Sequence, residues 1–372
     1  MSASYRKWLK DKLAKLEAIE CYTGGATPES IAKQIGVSPS EIVKLNFNES
    51  LFIDRAAQAK LVRELADEFD LRLYPEDEIP KFLAKLAGYI GAPENCLVVG
   101  NGSDELIDRI VRLFVDQGEV MLSFAPTFSI PKLCMKRQGG EFISVPLRSN
   151  LQLDVEGLMG KFSDKTRLLY LCSPNNPTST QFKAKDIENL ANAFPGLVIL
   201  DEAYGEFADY TFVPRISDFP NMIILRTFSK AFGLAALRLG YAVANPGLVK
   251  TLSEKAPLPY PVSGFTLRMG SKMLDNVNLM KKAAKELVAE RGKLIKALNQ
   301  IKGVKAFDSQ ADFLLVATQK SADEVNEALL KRGIMLKKWG KILQYDNCFR
   351  VTVGLPEMNR KLIDSLKQIQ GE

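Results

Sequence analysis

The chain has 372 residues, 46% hydrophobic and 25% charged, with 50 basic against 44 acidic side chains for a net charge of +6, and it contains no histidine. That zero excludes Ser-His-Asp and Cys-His nucleophiles, a histidine general base, histidine-ligated metals and an imidazole pH switch. Catalysis must rest on Lys, Asp, Glu, Tyr, Cys, Arg or a borrowed cofactor, and a small, scattered basic excess does not demand nucleic acid or anionic lipid as partner.

The first 20 residues read as a charged amphipathic helix, with no apolar core of signal-peptide length and an early Asp11. Residues 1–45 form an arm: that helix, a Gly24-Gly25 turn and two short helical pieces. Residues 30–45 carry the Ala-x-x-x-Gly-x-x pattern of a helix-turn-helix. A DNA-binding regulator fused to an enzyme-like domain is one reading of it; two short helices packed on the domain is the other. The second helix, with one basic residue, is poor in phosphate contacts.

Residues 54–69 and 78–90 have helical spacing. From about residue 95, short apolar runs (CLVVGN, EVMLSF, RLLYLCSP, LVILDEA, MIILRTF, LGYAVA) alternate with helical stretches or loops. Runs this short and wholly apolar predict buried strands of a mainly parallel sheet flanked by helices, an α/β fold. After Pro261 come a long helical region over 263–302, DFLLVAT, a helix at 321–332, FRVTVG and a closing helix. The expected organisation is an N-terminal arm (1–45) packing on the small domain, a large domain (46–262) and a smaller α+β domain (263–372). No run of about 18 apolar residues spans a membrane. Five dispersed cysteines, Cys21, Cys96, Cys134, Cys172 and Cys348, suit free thiols in a reducing compartment, hence the cytoplasm.

Four features fall at the C-terminal ends of predicted strands, where open α/β sheets bind ligands. Gly100-Asn101-Gly102-Ser103-Asp104 opens a helix; it can bind an anion or be a tight turn capped by Ser103. Ser173-Pro174-Asn175-Asn176-Pro177 presents an amide or is an ordinary turn. Asp201 ends an apolar strand and needs a cation or strong donor, with Tyr204 within reach; a cap or ion pair is the other reading. Lys230, in Thr227-Phe228-Ser229-Lys230, is a candidate nucleophile or a lysine snorkelling to solvent; Arg238 follows.

In this order, the four suit one cofactor. A lysine forms an imine with an aldehyde, a carboxylate keeps a pyridine nitrogen protonated, and Asn and Tyr bond the ring oxygen. Gly-Ser-Asp amides, Ser229 and Arg238 hold a phosphate. That cofactor is pyridoxal 5′-phosphate, and no metal is called for.

The chain resembles the fold type I, pyridoxal-phosphate-dependent aminotransferases of class I/II, and among them the histidinol-phosphate aminotransferases. Cys21-Tyr22-Thr23-Gly24-Gly25 resembles the family's Tyr-x-x-Gly, Lys44-Leu45-Asn46-Phe47-Asn48-Glu49 its KLNANEN, and Phe349-Arg350-Val351-Thr352-Val353-Gly354 its LRITVG. The resemblance implies Lys230 as the Schiff-base lysine, Asp201 as ring-nitrogen partner, and Asn176 and Tyr204 on the ring oxygen. It implies Phe128 stacked on the ring, and Gly102, Ser103, Asp104, Ser229 and Arg238 around the phosphate, joined by Tyr74 of Tyr74-Pro75 from a second subunit of a homodimer. Tyr22, Asn48, Lys337 and Arg350 would face the substrates, an amino donor and a 2-oxo acid such as 2-oxoglutarate.

The chain departs from the family at Ser179, where NPTG has glycine, at Ser50-Leu51, and at Lys337-Lys338, where an arginine often meets the substrate phosphate. Lysine binds phosphate without the bidentate fork. An aromatic amino-acid aminotransferase and a threonine-phosphate decarboxylase therefore stand beside histidinol-phosphate aminotransferase as readings of the same scaffold.

Overall fold

The computed structural model describes residues 3–17, 19 and 24–371, so Cys21 and Tyr22 lie outside the described residues. Helix α1 (Ala3–Glu17) exposes Trp8, Leu9, Leu13 and Leu16. Helix α2 (Pro28–Ile35) begins on a reciprocal Thr27–Ser30 capping box and ends at Gly36, whose φ of 74° suits glycine. A three-residue 3-10 turn (Pro39–Glu41) follows, and then strand β1 (Val43–Leu45). The helix-turn-helix reading of residues 30–45 therefore fails: its second helix is replaced by a turn and a sheet strand.

Helices α3 (Arg55–Glu68) and α4 (Glu78–Ile90) fall where the apolar spacing predicts them. The alternation then runs β2 (Leu97–Gly100), α5 (Ser103–Phe114), β3 (Val120–Ala125), α6 (Ile130–Gln138), β4 (Glu141–Pro146) and α7 (Val155–Met159). It continues through β5 (Thr166–Cys172), α8 (Ala184–Ala193), β6 (Leu197–Asp201), β7 (Met222–Thr227) and β8 (Gly240–Ala244). These strands form a seven-stranded sheet in the order β2-β8-β7-β6-β5-β3-β4. Neighbours from β7 to β4 pair in parallel; β8 runs antiparallel to both β7 and β2.

Every residue of β6 and β7 is buried, as continuous apolar runs require of central strands. Strand β4 has no such run. It is an edge strand with only Val145 fully buried, so its sequence carries little apolar signal.

The C-terminal part contains α9 (Pro246–Glu254), α10 (Gly264–Asp275), α11 (Val277–Leu298), β9 (Val304–Ala306), β10 (Phe313–Thr318) and α12 (Ala322–Leu330). It ends with β11 (Ile334–Ile342), β12 (Tyr345–Thr352) and α13 (Pro356–Gln370). The helical region 263–302 is thus two helices meeting at Asn276, whose side chain donates to the Lys272 carbonyl at 2.8 Å. A five-stranded sheet runs β1-β11-β12-β10-β9, with β1 parallel to β11. Strand β1 thereby draws the segment after it, Asn46 to Glu49, across to the ends of the large sheet's strands. Cys96, Cys134, Cys172 and Cys348 are free and buried. Among the described residues no helix is long and apolar enough to cross a membrane, and no group of three or more acidic or thiol side chains could hold a metal ion.

Candidate active site

One cavity gathers side chains from the C-terminal ends of β5, β6 and β7, from the start of α5 and from the segment after β1. Among the residues singled out in the sequence, Asn48, Ser103, Asp104, Phe128, Asn176, Asp201, Tyr204, Ser229, Lys230, Arg238 and Arg350 line it. Parallel strands bring these residues to one end of the sheet: Cys172, the last residue of β5, pairs with Asp201, the last of β6, and Asp201 pairs with Leu225, just before the end of β7.

Asp201 is 2% exposed. The Tyr170 hydroxyl donates to its Oδ2 at 2.7 Å and the Ala203 amide to its Oδ1 at 3.0 Å. Burial pushes its carboxyl up to about 6, against the pull of those two donors. Lys230 stands three residues beyond β7, with its Nζ donating to the carbonyls of Asn48 at 3.1 Å and Phe47 at 3.3 Å. Burial lowers its amine below the ordinary lysine range, which favours the free base. The snorkelling alternative does not hold: the amine points into the cavity, 5.6 Å from the Tyr204 ring centroid.

Tyr204 is buried, and its hydroxyl accepts from Asn48 Nδ2 at 3.0 Å. Of the asparagine pair, Asn175 braces the loop: it accepts from Thr127 at 3.0 Å and donates to the Pro126 carbonyl at 3.0 Å. Asn176 lines the cavity. Its Oδ1 accepts from Arg350 Nη1 at 2.9 Å, and Arg350 Nη2 donates to the Asn46 carbonyl at 2.5 Å.

At the other end lies an anion cradle. Gly102, not Ser103, is the N-cap of α5, and no side chain caps that helix. The Ser103-cap alternative is therefore not what forms, and the first-turn N–H groups remain for an anion. Arg238 Nη1 donates to Ser229 Oγ at 3.1 Å and Nη2 to Asp104 Oδ2 at 3.3 Å, closing the cradle with a cation. Gly240 is fixed here by close approach: a Cβ on it would lie 2.4 Å from the Ser103 nitrogen.

Two singled-out residues stand apart. Tyr74 is 77% exposed and stacks on Tyr260 at 5.2 Å, outside the cavity of its own chain. Lys337 does not line the cavity, but the β11–β12 register sets it directly opposite Arg350 on one face. Phe47, Cys172, Ala203 and Thr227 also line the cavity without having been singled out. Cys172 and Thr227 sit at strand ends and were findable from the apolar runs alone. Phe47 arrives only through the pairing of β1 with β11. Tyr170, behind Asp201, had no sequence signal beyond its place in a strand.

An uncapped helix N-terminus beside an arginine, a buried carboxylate with lone pairs to spare and a lysine in the same cavity fit a phosphorylated pyridine aldehyde.

The protein-family model described as aminotransferase class I and II matches residues 40–366. Histidinol-phosphate aminotransferase of Thermoanaerobacter sp. (strain X514) is 36% identical over 328 residues, covering 88% of this chain and 92% of the relative. The protein of the same name from Methanocaldococcus jannaschii is 30% identical over 369 residues, 97% of each chain. The crystal structure of histidinol-phosphate aminotransferase from Sinorhizobium meliloti in complex with pyridoxal-5′-phosphate superimposes with a TM-score of 0.84 at 25% identity, covering 96% of each chain.

Proposed function

The chain belongs to the aminotransferase class I and II family and is a transaminase; from that premise we propose that it uses pyridoxal 5′-phosphate to move an amino group between L-histidinol phosphate and 2-oxoglutarate. Its relatives carry that activity in their names over nearly the whole chain length. The observation that carries the substrate reading is the cross-strand pair Lys337 and Arg350, two cations side by side next to the cavity. Arg350 suits the carboxylate of the 2-oxo acid, and Lys337 the phosphate of the amino donor.

When bound, the cofactor supplies a carbonyl carbon that takes up the amino group and a ring that accepts the electron pair left by proton loss. The residues do the rest. The first-turn amides of α5 from Ser103 and Asp104, with Ser229 and Arg238, bind the phosphate. Asp201 would accept the ring N–H and keep that nitrogen charged. Tyr204 and the Asn176 amide would hold the ring oxygen, and Phe128 would pack against the ring. Lys230, whose amine burial lowers below the ordinary lysine range, would take the proton from the substrate carbon that bears the amine and hold it on Nζ. The two half-reactions share one site, so ping-pong kinetics follow.

Leu71, Leu73, Tyr74 and Leu258 are each at least 69% exposed, and Tyr74 stacks on Tyr260; exposed apolar groups of this kind are what protein interfaces cover. A homodimer that covers them, with Tyr74 reaching the partner's phosphate site, accounts for their exposure. Buried free thiols suit the cytoplasm. The division proposed is arm, large domain and small domain at about residues 46 and 263, with β1 joining the arm to the small domain's sheet. The test of the substrate reading is a donor panel with 2-oxoglutarate. Histidinol phosphate should exceed phenylalanine and tyrosine in kcat/KM, and a clear preference for the free aromatic amino acids rejects it.

A further inference from the structure

We infer that Tyr170 is a positioning residue for Asp201, its hydroxyl holding that carboxylate in one orientation and in its charged form. The inference rests on the reading that Asp201 meets the cofactor's ring nitrogen, and it adds a residue to that contact.

In the parallel pairing of β5 with β6, Cys172 stands beside Asp201 and Tyr170 beside Ile199. Side chains two apart on a strand share a face, so Tyr170 lies on the same face as Asp201 and one pleat back. A phenol spans that pleat, and its hydroxyl reaches Oδ2 at 2.7 Å. Tyr170 is wholly buried, and its backbone is pinned by Ser123, whose Oγ donates to the Tyr170 carbonyl at 2.8 Å. The ring fills core volume that phenylalanine would fill as well. The hydroxyl is what core packing alone does not require, and it is spent on the one carboxylate at the cavity floor.

Charge favours the same role. Burial opposes the ionisation of Asp201, and so do Asp104 at the start of α5 and Glu202 next in the chain. Lys230 lies across the same cavity. Within that set, Tyr170 and the Ala203 amide are the donors that stabilise the anion, one on each oxygen. A carboxylate has about four lone-pair sites, so each oxygen keeps one for a ring N–H. The Tyr170 bond also fixes the carboxylate plane, leaving the same lone pairs facing the cavity whether or not a cofactor is bound.

The test is Tyr170→Phe, read in two ways. In the chain without cofactor, the Asp201 carboxyl is followed by carbon-13 NMR with labelled aspartate and identified by its loss in Asp201→Asn. Its midpoint should rise by about one pH unit, a tenfold weaker hold on the charged form. In the loaded enzyme the acid limb of kcat should move up by the same amount, with substrate KM values unchanged. A purely structural role would lower the melting temperature and move neither midpoint. Replacement of Tyr170 by 3-fluorotyrosine, a stronger donor of nearly the same shape, should move both midpoints down, and it tests the inference even if the phenylalanine variant does not fold. Unmoved midpoints in a folded variant overturn the inference. If instead Asp201→Asn binds the cofactor as tightly as the unaltered chain, the ring-nitrogen reading is what fails.

Discussion

Replacing Gly102 by alanine should cost the chain its grip on the cofactor's phosphate more than its fold. Gly102 has φ 82° and ψ 163°, a region essentially reserved for glycine. Forcing alanine there costs about 1–3 kcal/mol of strain. The added Cβ would also lie 2.8 Å from Arg238 Nη2, the flexible end of the side chain that closes the anion cradle. The guanidinium must swing away, and one charge-assisted hydrogen bond to phosphate, worth roughly 1.5–3 kcal/mol, goes with it. The dissociation constant for pyridoxal phosphate should therefore rise about 10- to 150-fold. Binding of pyridoxal, which has no phosphate, should change far less. Absorbance titration of the cofactor-free chain measures both ligands. Arg238→Ala should weaken phosphate binding on its own, and the double variant should be little worse than either single one, because both act through the same contact. If Gly102→Ala binds pyridoxal phosphate normally, or weakens both ligands equally, the placement of the phosphate at the start of α5 is refuted.

Lys230→Ala should abolish turnover and also the loss of visible absorbance on borohydride reduction of the loaded enzyme; full turnover would sink the assignment. Lys337→Ala should raise KM for histidinol phosphate by roughly tenfold, the worth of one exposed-side charge contact, while leaving KM for 2-oxoglutarate alone. Equal effects on both substrates would remove Lys337 from the phosphate. Mixing Tyr74→Phe with Lys230→Ala subunits should regenerate dimers with one intact site if Tyr74 serves its partner, measured as activity above that of either variant. Asp201 gives a pH test with a definite sign. Its folded carboxyl is raised to about 6, so its charge costs stability above that pH and none below the unfolded value. Cofactor-free Asp201→Asn should therefore be more stable than the unaltered chain at pH 8, by on the order of 3 kcal/mol, with the gap closing between pH 6 and 4. Cofactor affinity of the unaltered chain should fall over the acid side of the same window. A gap that is constant with pH would contradict the buried, charged Asp201.

Much of the site is legible along the chain because parallel strands expose their C-terminal ends in one row. An apolar run followed by a polar cluster therefore names a ligand position without any coordinates. Asn176, Asp201, Lys230 and the Gly102 turn were all read that way, and the absence of histidine left a lysine and a carboxylate to do the proton work. The seven-stranded sheet was legible for a related reason: its central strands are buried on both faces, so their sequences are mostly apolar. Strand β4 was not legible, because an edge strand is half wet and its composition is free to be polar.

What tertiary structure decided lies where two distant segments meet. Strand β1 pairs with β11, and that pairing helps bring Phe47 and Asn48 over Lys230, where their carbonyls meet its amine. Residues 30–45 carry a local pattern that suits a helix-turn-helix, yet after α2 the backbone pairs with β11, a strand nearly 300 residues away. The sheet register, not the spacing of residues, puts Lys337 opposite Arg350 and Tyr170 one pleat behind Asp201. Local sequence determined which elements form and which strand ends bear chemistry. Register and packing, which depend on partners far off in the chain, determined what each of those groups touches, and so how its charge is held.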